Sequence, residues 1–186
     1  MVCLRCSAAV ALLARGDSRF CSTRCRVAFH RSLPAQTLRE VPRWVRWSAD
    51  KVPLRVNGGK ASSTDPGSWV SWEVASSSSV GVGSGFVLSA ADSIVCVDID
   101  HCLDGRGRLE SWTRDLLSGM PATYVEVSPS GSGLHVWGHA DFIGGRRTGD
   151  VEIYGAGRYV TVTGRRFRGC GVEFANLDDW ISDLLK

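Results

Sequence analysis

The stretch SIVCVDID, residues 93–100, decides how this chain is expected to fold. It begins with an apolar run and ends in Asp98 and Asp100, a pattern typical of a buried β-strand. Because side chains alternate along a strand, both carboxylates project from one face at its end. Hard oxygen ligands arranged in this way suit Mg²⁺ or Mn²⁺. The alternative is that the two aspartates form a turn or carry solvated charge.

Strand and helix patterns flank this segment on both sides. VGVGSGFVL (80–88) precedes it and is expected to form a hairpin or an adjacent pair with it. A second hairpin is predicted around the PSGSG turn within residues 122–140, and two more strands within 151–164. Helices are expected after a cap at Thr64 or Asp65, over residues 109–120, and near the C-terminus with Asn176 or Asp178 as the cap. The predicted fold class is α/β (α+β), a mixed domain built mostly on antiparallel strands.

The size and composition of the chain limit its architecture. Its 186 residues, 44% hydrophobic and 22% charged, allow one full domain with a small appendage. A multi-domain assembly and a wholly disordered chain are excluded. No window approaches the roughly 18 consecutive apolar residues of a membrane span. We therefore expect a cytoplasmic protein with no membrane partner.

The first 47 residues are basic and contain a cysteine cluster. They hold nine arginines and two acids, which suits contacts with phosphate, although a basic segment can also be only a solvated face. The cysteine spacing, C-x2-C, fourteen residues, C-x3-C, brings four thiolates onto one tetrahedral, structural Zn²⁺. Two disulfides or four reduced thiols are the alternatives. The predicted ligands are Cys3, Cys6, Cys21 and Cys25, in a zinc-binding module with its linker over residues 1–40, followed by a second domain over 41–186.

Two further segments carry polar side chains suited to phosphate or metal. SPSGSGLHVWG (128–138) has a turn of small residues whose amides can cradle phosphate, followed by His135, which can donate to a phosphate oxygen. An ordinary hairpin turn followed by a core histidine explains the same pattern. In VEIYGAGRYVTVTG (151–164), Glu152 stands mid-strand, where a carboxylate is unfavourable unless a cation neutralises it or it faces outward. Arg158 follows the turn, and a surface ion pair is its alternative role.

Taken in order, these segments resemble the motifs of the archaeo-eukaryotic primase superfamily, in particular the primase-polymerase (prim-pol) domains of phage and plasmid replication proteins. The order is a strand ending in D-x-D, then S-x-S-G-x-G-x-H, then a strand acid followed by G-x-G-R-Y-V-T. KVPLRVNGGKASSTDPGSWVSWEVA (51–75) is also similar to the family's opening segment. The resemblance covers roughly residues 43–186.

The resemblance implies an RRM-like catalytic core and a DNA primase-polymerase, a nucleotidyltransferase that joins an NTP or dNTP to a 3′-hydroxyl on a single-stranded DNA template. It places the family's metal-binding acids at Asp98, Asp100 and Glu152, which would hold two Mg²⁺ or Mn²⁺ ions. A triphosphate site is implied at Ser130, Gly131, Ser132, Gly133, His135 and Arg158. The zinc finger would bind template phosphates with salt-sensitive affinity, and a separate replicative helicase is an expected partner.

Two other functions fit the sequence less well. A non-catalytic zinc-finger DNA-binding initiator or regulator on the same fold would not need an intact acid triad. A rolling-circle nuclease would need an H-x-H pair, which the sequence lacks, and its nearby nucleophiles would be Tyr154 and Tyr159. Three tryptophans, Trp44, Trp47 and Trp69, are expected to pack in the core rather than to stack on bases.

Overall fold

The computed structural model describes residue 10, residues 21–26 and residues 33–186. The chain divides into two compact units, Met1–Leu33 and Pro34–Lys186. In the first unit, residues 23–26 are helical, and the predicted zinc ligands Cys3 and Cys6 lie outside the described residues. The division lies a few residues before the boundary that the sequence predicts at residue 40.

The second unit is a mixed α+β domain in which every pair of named strands is antiparallel, which confirms the predicted fold class. In chain order its elements are α1 (Gln36–Glu40), β1 (Trp44–Trp47), β2 (Pro53–Leu54), a 3₁₀ turn (Pro66–Ser68), α2 (Trp72–Ser77), β3 (Gly83–Val87), β4 (Ile94–Ile99), α3 (Ser111–Leu116), β5 (Tyr124–Val127), β6 (Leu134–His139), β7 (Gly145–Thr148), β8 (Val151–Tyr154), β9 (Tyr159–Val162) and α4 (Asp178–Leu184).

The strands form two sheets, with the orders β2-β1-β3-β9 and β5-β6-β4-β8-β7. The hairpin expected between β3 and β4 is therefore wrong, because the two strands belong to different sheets. Both edges of β4 are taken by β6 and β8, and both edges of β3 by β1 and β9. The predicted hairpin of β5 and β6 is confirmed.

The chain also changes sheets between β8 and β9. Gly155 directly follows β8, at a point where a Cβ atom would stand 1.8 Å from the backbone oxygen of Phe142, so only glycine fits this crossing. As a result β8 borders β4, whereas β9 borders β3, and the loop between them joins the two sheets.

The two faces of the five-stranded sheet have different neighbours. Val95, Val97 and Ile99 face one apolar cluster with Leu177 and Ile181 from the α4 region. The opposite face contributes residues such as Cys96, Tyr124 and Trp137 to a second cluster with Trp44 and Phe86 of the four-stranded sheet. The rings of Phe86 and Trp137 meet edge to face with centroids 6.1 Å apart. The five-stranded sheet is thus the middle layer, between helices and a second sheet.

The helices are shorter than the sequence predicts. Asp65 does cap a turn by accepting from the Gly67 amide, but that turn is a 3₁₀ turn, and α2 begins only at Trp72. At α4, Leu177 occupies the cap position, while the Asn176 side chain accepts from the Asp178 amide just outside the helix. Across the described residues, every helix is too short or too polar to cross a bilayer.

Candidate active site

A single row of side chains crosses the five-stranded sheet. The strand register places Glu126 opposite His135, His135 opposite Asp98, Asp98 opposite Glu152, and Glu152 opposite Arg147. Directly opposed residues of antiparallel strands project to the same face. One charged residue from each of β5, β6, β4, β8 and β7 therefore stands in line on that face. Three of the predicted site residues belong to this row.

Asp98 is held where its carboxylate lacks hydrogen-bond partners. Its side chain is 24% exposed, and its Oδ1 atom is buried without a hydrogen bond, 3.6 Å from Nε2 of His135. Burial raises the pKa of Asp98; the His135 charge opposes this shift, while Asp100 and Glu152 add to it. Asp100 follows on the same face, beyond the end of β4, with its amide bound to the Asp150 carbonyl. The pair of Asp98 and Asp100 therefore includes a buried carboxylate oxygen without a hydrogen bond, and a bound cation would supply the missing interaction.

His135 is almost fully buried between two carboxylates. Its Nδ1 atom lies 3.2 Å from Oε1 of Glu126, and its Nε2 atom faces Asp98. Burial alone would lower the pKa of His135. The hydrogen bond with Glu126 and the charges of Asp98, Glu126 and Asp100 outweigh burial, so the pKa of His135 lies above its ordinary value. The neighbouring carboxylates thus favour the protonated ring, and its Nδ1 atom is the nitrogen that hydrogen-bonds to a carboxylate, that of Glu126.

Glu126 is a site residue that the sequence interpretation missed. It is fully buried and accepts hydrogen bonds from His135, from the Tyr124 hydroxyl and from the Thr163 and Gly164 amides. A signal was present, because Glu126 stands between two valines in the middle of a strand, as Glu152 stands between Val151 and Ile153. The argument that singled out the second glutamate applies equally to the first.

Glu152 is paired with Arg147 in this structure. The Arg147 Nη1 atom lies 2.8 Å from Glu152 Oε1, and the arginine side chain is 67% exposed. Arg147 lies on β7, which the sequence interpretation also missed. Among residues 21–26 and 33–186, no three cysteine, histidine or acidic side chains already enclose a metal position. Arg147 contacts Oε1 of Glu152, so a cation shared with Asp98 would be bound by the other carboxylate oxygen or would replace the arginine.

A cavity of about 180 Å³ opens beside the row. Its wall includes Asp98, Asp100 and His135 together with polar residues from the serine turn and from the other sheet. It is lined by Lys51, Asp98, Asp100, His101, Ser128, Pro129, Ser130, Ser132, His135 and Thr161. The structure therefore brings both aspartates, His135 and the serine turn of residues 128–132 together around one cavity.

The serine turn presents hydroxyls more than amides. Ser128, Ser130 and Ser132 form a chain of hydroxyl contacts of 2.9 and 3.1 Å. The Gly131 amide is already bonded to the Ser128 carbonyl, and the Ser132 amide to the Ser130 hydroxyl. A Cβ atom at Gly133 would stand 2.8 Å from Ser128 Oγ, so glycine is needed there for close packing. Phosphate binding at this turn would therefore use hydroxyl groups first.

Two residues on the cavity wall have unusual backbone conformations. Lys51 and His101 have φ angles of 57° and 52°, and they are the non-glycine residues with positive φ in the described part of the chain. The Tyr159 hydroxyl donates to the Lys51 carbonyl, and His101 Nδ1 lies 3.3 Å from Asp150 Oδ1. Left-handed backbone costs such residues about 1–2 kcal/mol each. Strain of this kind clusters at functional sites.

Other residues singled out from the sequence lie elsewhere. Arg158 is exposed, and its guanidinium stands 5.5 Å from the centre of the Tyr154 ring, outside the residues that line the cavity. Trp44 is fully buried and donates to the Leu38 carbonyl, as expected of a core residue. In the first unit, the sulfur atoms of Cys21 and Cys25 lie 3.5 Å apart.

Comparisons with known proteins identify the family of the chain. Residues 26–184 match the Prim-Pol family model, described as "Bifunctional DNA primase/polymerase, N-terminal". The chain is also 39% identical over 153 residues to a protein named DNA Primase-polymerase from Nitratiruptor phage NrS-1. That alignment covers 74% of this chain but 21% of the phage protein, so the chain spans about a fifth of its relative's length. The family description and the relative's name both indicate a DNA nucleotidyltransferase, as the sequence predicted. On the extent of the family match, the chain belongs to the Prim-Pol family.

Proposed function

We propose that this chain is a DNA primase-polymerase domain that transfers nucleotides from NTP or dNTP to a 3′-hydroxyl on a single-stranded DNA template. The observation that carries the proposal is the row of Asp98, His135 and Glu152 across three adjacent strands beside a polar cavity. A protein that catalyses phosphoryl transfer mainly has to position the reacting groups and to stabilise the charge that develops in the transition state. A row of acids next to a histidine whose pKa is raised supplies both.

Asp98, Asp100 and Glu152 would hold two Mg²⁺ or Mn²⁺ ions. The fit is supported by the buried, unbonded Oδ1 atom of Asp98 and by carboxylate oxygens, the ligands these ions prefer. When bound, the ions would activate the attacking 3′-hydroxyl and neutralise the leaving pyrophosphate. If an ion displaced Arg147 from Glu152, the arginine would become available to another anion.

The triphosphate would bind next to these acids. His135 would donate to a phosphate oxygen, with Glu126 holding the ring from behind. Ser130 and Ser132 would donate from their hydroxyls, while the glycines at 131 and 133 allow the turn to fold closely. Arg158 would have to leave the Tyr154 ring to reach a triphosphate in the cavity.

The proposal for the first unit is a structural zinc site that helps to bind the template. Two thiolates sharing a tetrahedral zinc at about 2.3 Å stand about 3.8 Å apart. The separation of Cys21 and Cys25, 3.5 Å, is close to this. The Cys21→Ser variant is expected to lose its one equivalent of zinc, measured by metal analysis of the purified chain. Full zinc retention in that variant would contradict the proposed ligand set.

The test of the activity is incorporation of labelled nucleotides on a single-stranded template, with and without a primer, in Mg²⁺ or Mn²⁺. Wild type is expected to extend the primer, and the D98N/D100N variant to lose synthesis by at least two orders of magnitude. D115N, which changes an exposed acid on α3, is the matched control. Unprimed product would establish priming as well as extension.

Two results would overturn parts of the proposal. Synthesis that survives in D98N/D100N would remove these acids from the metal site. A wild-type chain that binds DNA but makes no product with either ion would favour a non-catalytic replication initiator or regulator. Adding a replicative helicase to the assay tests the remaining predicted partner, since a helicase-dependent enzyme would regain synthesis on duplex templates.

A further inference from the structure

An arginine-rich segment borders the candidate active site at the β5 edge of the sheet. The sequence GRRFRG, residues 164–169, follows β9 and runs alongside β5. The Val127 amide donates to the Arg165 carbonyl, and the Phe167 amide to the Val125 carbonyl, each at 2.8 Å. These bonds cover the outer edge of β5. The segment therefore acts as a short additional strand beside the row.

The backbone of this segment is held firmly, while its charges face outward. Phe167 packs against the apolar cluster between the sheet and the helices, and the Gly164 amide is bonded to buried Glu126. Arg165, Arg166 and Arg168 are all exposed. Because folding already orders this backbone, binding a ligand costs little further backbone entropy. This favours binding by the exposed guanidinium groups.

The three arginines have no acidic partners within the described residues. The ion pairs there involve other cations, such as Arg43, Arg55, Arg108 and Arg147. Arg165 donates to the carbonyl of Ser128, a residue on the cavity wall. The positive segment is therefore continuous with the cavity, and its charge is available to an anion from outside the chain.

Arg166 extends the active-site row by one position. It is bridged to Glu126, so the row runs from Arg166 through Glu126 and His135 to Asp98. Three strand spacings separate Arg166 from Asp98, about 14 Å in all. At about 3.4 Å per nucleotide, this distance is about four nucleotides of a stacked strand. A strand that passes through the active site would reach the arginines within that length.

We propose that Arg166 and Arg168 form a binding surface for the phosphate backbone of the single-stranded DNA template, on the β5 side of the active site. The inference rests on the proposed function for its template, and adds a binding surface on the second unit. Arginine suits this role because its guanidinium forms paired hydrogen bonds with phosphate oxygens. Arg165 anchors the segment to the serine turn instead of serving as a main contact.

The test compares DNA binding by two double variants of the full chain. R166Q/R168Q removes the proposed contacts, and R106Q/R114Q removes two exposed arginines near α3 as a matched control. The probe is a fluorescent 20-mer of thymidine, titrated without nucleotide or added divalent cation. We expect R166Q/R168Q to bind on the order of tenfold more weakly, with the slope of log K against log salt reduced by about 1.4, and the control to bind like wild type.

A charge-conserving variant separates binding from folding. R166K/R168K restores both charges but not the paired hydrogen bonds, so it is expected to restore the salt slope of wild type and part of the affinity, which a folding defect would not allow. Equal losses in the test and control variants, or unchanged affinity in R166Q/R168Q, would overturn the proposal. So would a raised KM for nucleotide with unchanged DNA binding, because the arginines would then serve the triphosphate. Binding is measured without synthesis, so an inactive wild type that still shows the arginine dependence would refute only the proposed function.

Discussion

Replacing Glu126 with glutamine is expected to destabilise the domain severely without changing its shape. The carboxylate accepts from four groups: the His135 ring, the Tyr124 hydroxyl, and the Thr163 and Gly164 amides. A glutamine amide keeps one acceptor oxygen, and turns an NH₂ group toward donors at the other position. At least one buried N–H is then left without a partner.

The expected loss follows from these contacts. Hydrogen bonds to a charged group contribute about 1.5–3 kcal/mol, and an unpaired buried donor costs about 1–3 kcal/mol. Together they predict a loss of about 4 kcal/mol in the free energy of unfolding. For a domain of this size, that corresponds to a fall in Tm of about 10 °C. The Glu173→Gln variant changes an exposed glutamate and is expected to stay within about 0.5 kcal/mol of wild type.

The pH dependence of this loss has a definite sign. The pKa of His135 is raised in the folded chain by its hydrogen bond with Glu126 and by nearby carboxylates, against burial. The imidazolium therefore adds stability that is fully present below the unfolded pKa of about 6.5 and disappears as pH rises through the folded value. Glu126→Gln removes the main partner of the His135 imidazolium. The difference in free energy of unfolding between wild type and variant should therefore become smaller as pH rises through that window.

Urea unfolding at a series of pH values measures both quantities. The variant must remain folded enough to give a baseline, and the length of the native baseline checks this. A loss below about 1 kcal/mol, or a gap that widens with rising pH, would refute the assignment of Glu126 as the buried anchor of His135.

Three further predictions concern the row and the sheet crossing. Because burial raises the pKa of Asp98, its ionised form opposes folding at neutral pH, so Asp98→Asn without added divalent cation should raise the free energy of unfolding by about 1–2 kcal/mol, and Tm with it. Added Mn²⁺ should stabilise wild type but not the variant in a thermal-shift assay. Arg147→Ala releases Glu152 from an ion pair whose arginine is mostly exposed and which is worth about 0.2–1 kcal/mol, so Mn²⁺ affinity measured by electron paramagnetic resonance should increase up to about fivefold. Weaker binding would show that the arginine assists the site. Gly155→Ala places a Cβ atom 1.8 Å from a backbone oxygen and should cost at least about 3 kcal/mol in chemical denaturation; a loss under 1 kcal/mol would mean that the two sheets shift easily.

Local patterns predicted the parts of the site that lie on one strand or one hairpin. Alternation along SIVCVDID put Asp98 and Asp100 on the same face, and the serine turn led directly to His135. These relations depend on neighbours within about ten residues, so the sequence carries them. The mixed antiparallel fold could be predicted for the same reason.

Features that depend on distant segments were not predictable in this way. β3 and β4 belong to different sheets because β1 and β9 pair with β3, whereas β6 and β8 pair with β4. Strand patterns alone do not show which of the possible strand pairings is the most stable. The strand β7 is exposed along its whole length, so it has no apolar alternation to detect. Its Arg147 therefore could not be placed beside Glu152 from sequence.

The left-handed backbone at Lys51 and His101 has a consequence for engineering this protein. A glycine at either position would relieve about 1 kcal/mol or more of strain, so a screen for heat resistance alone would select Lys51→Gly and His101→Gly early. The same substitutions would remove two side chains from the cavity wall. Directed evolution of this protein toward heat resistance therefore needs a selection for the proposed activity at every round, because thermostability and an intact cavity favour opposite residues at these two positions.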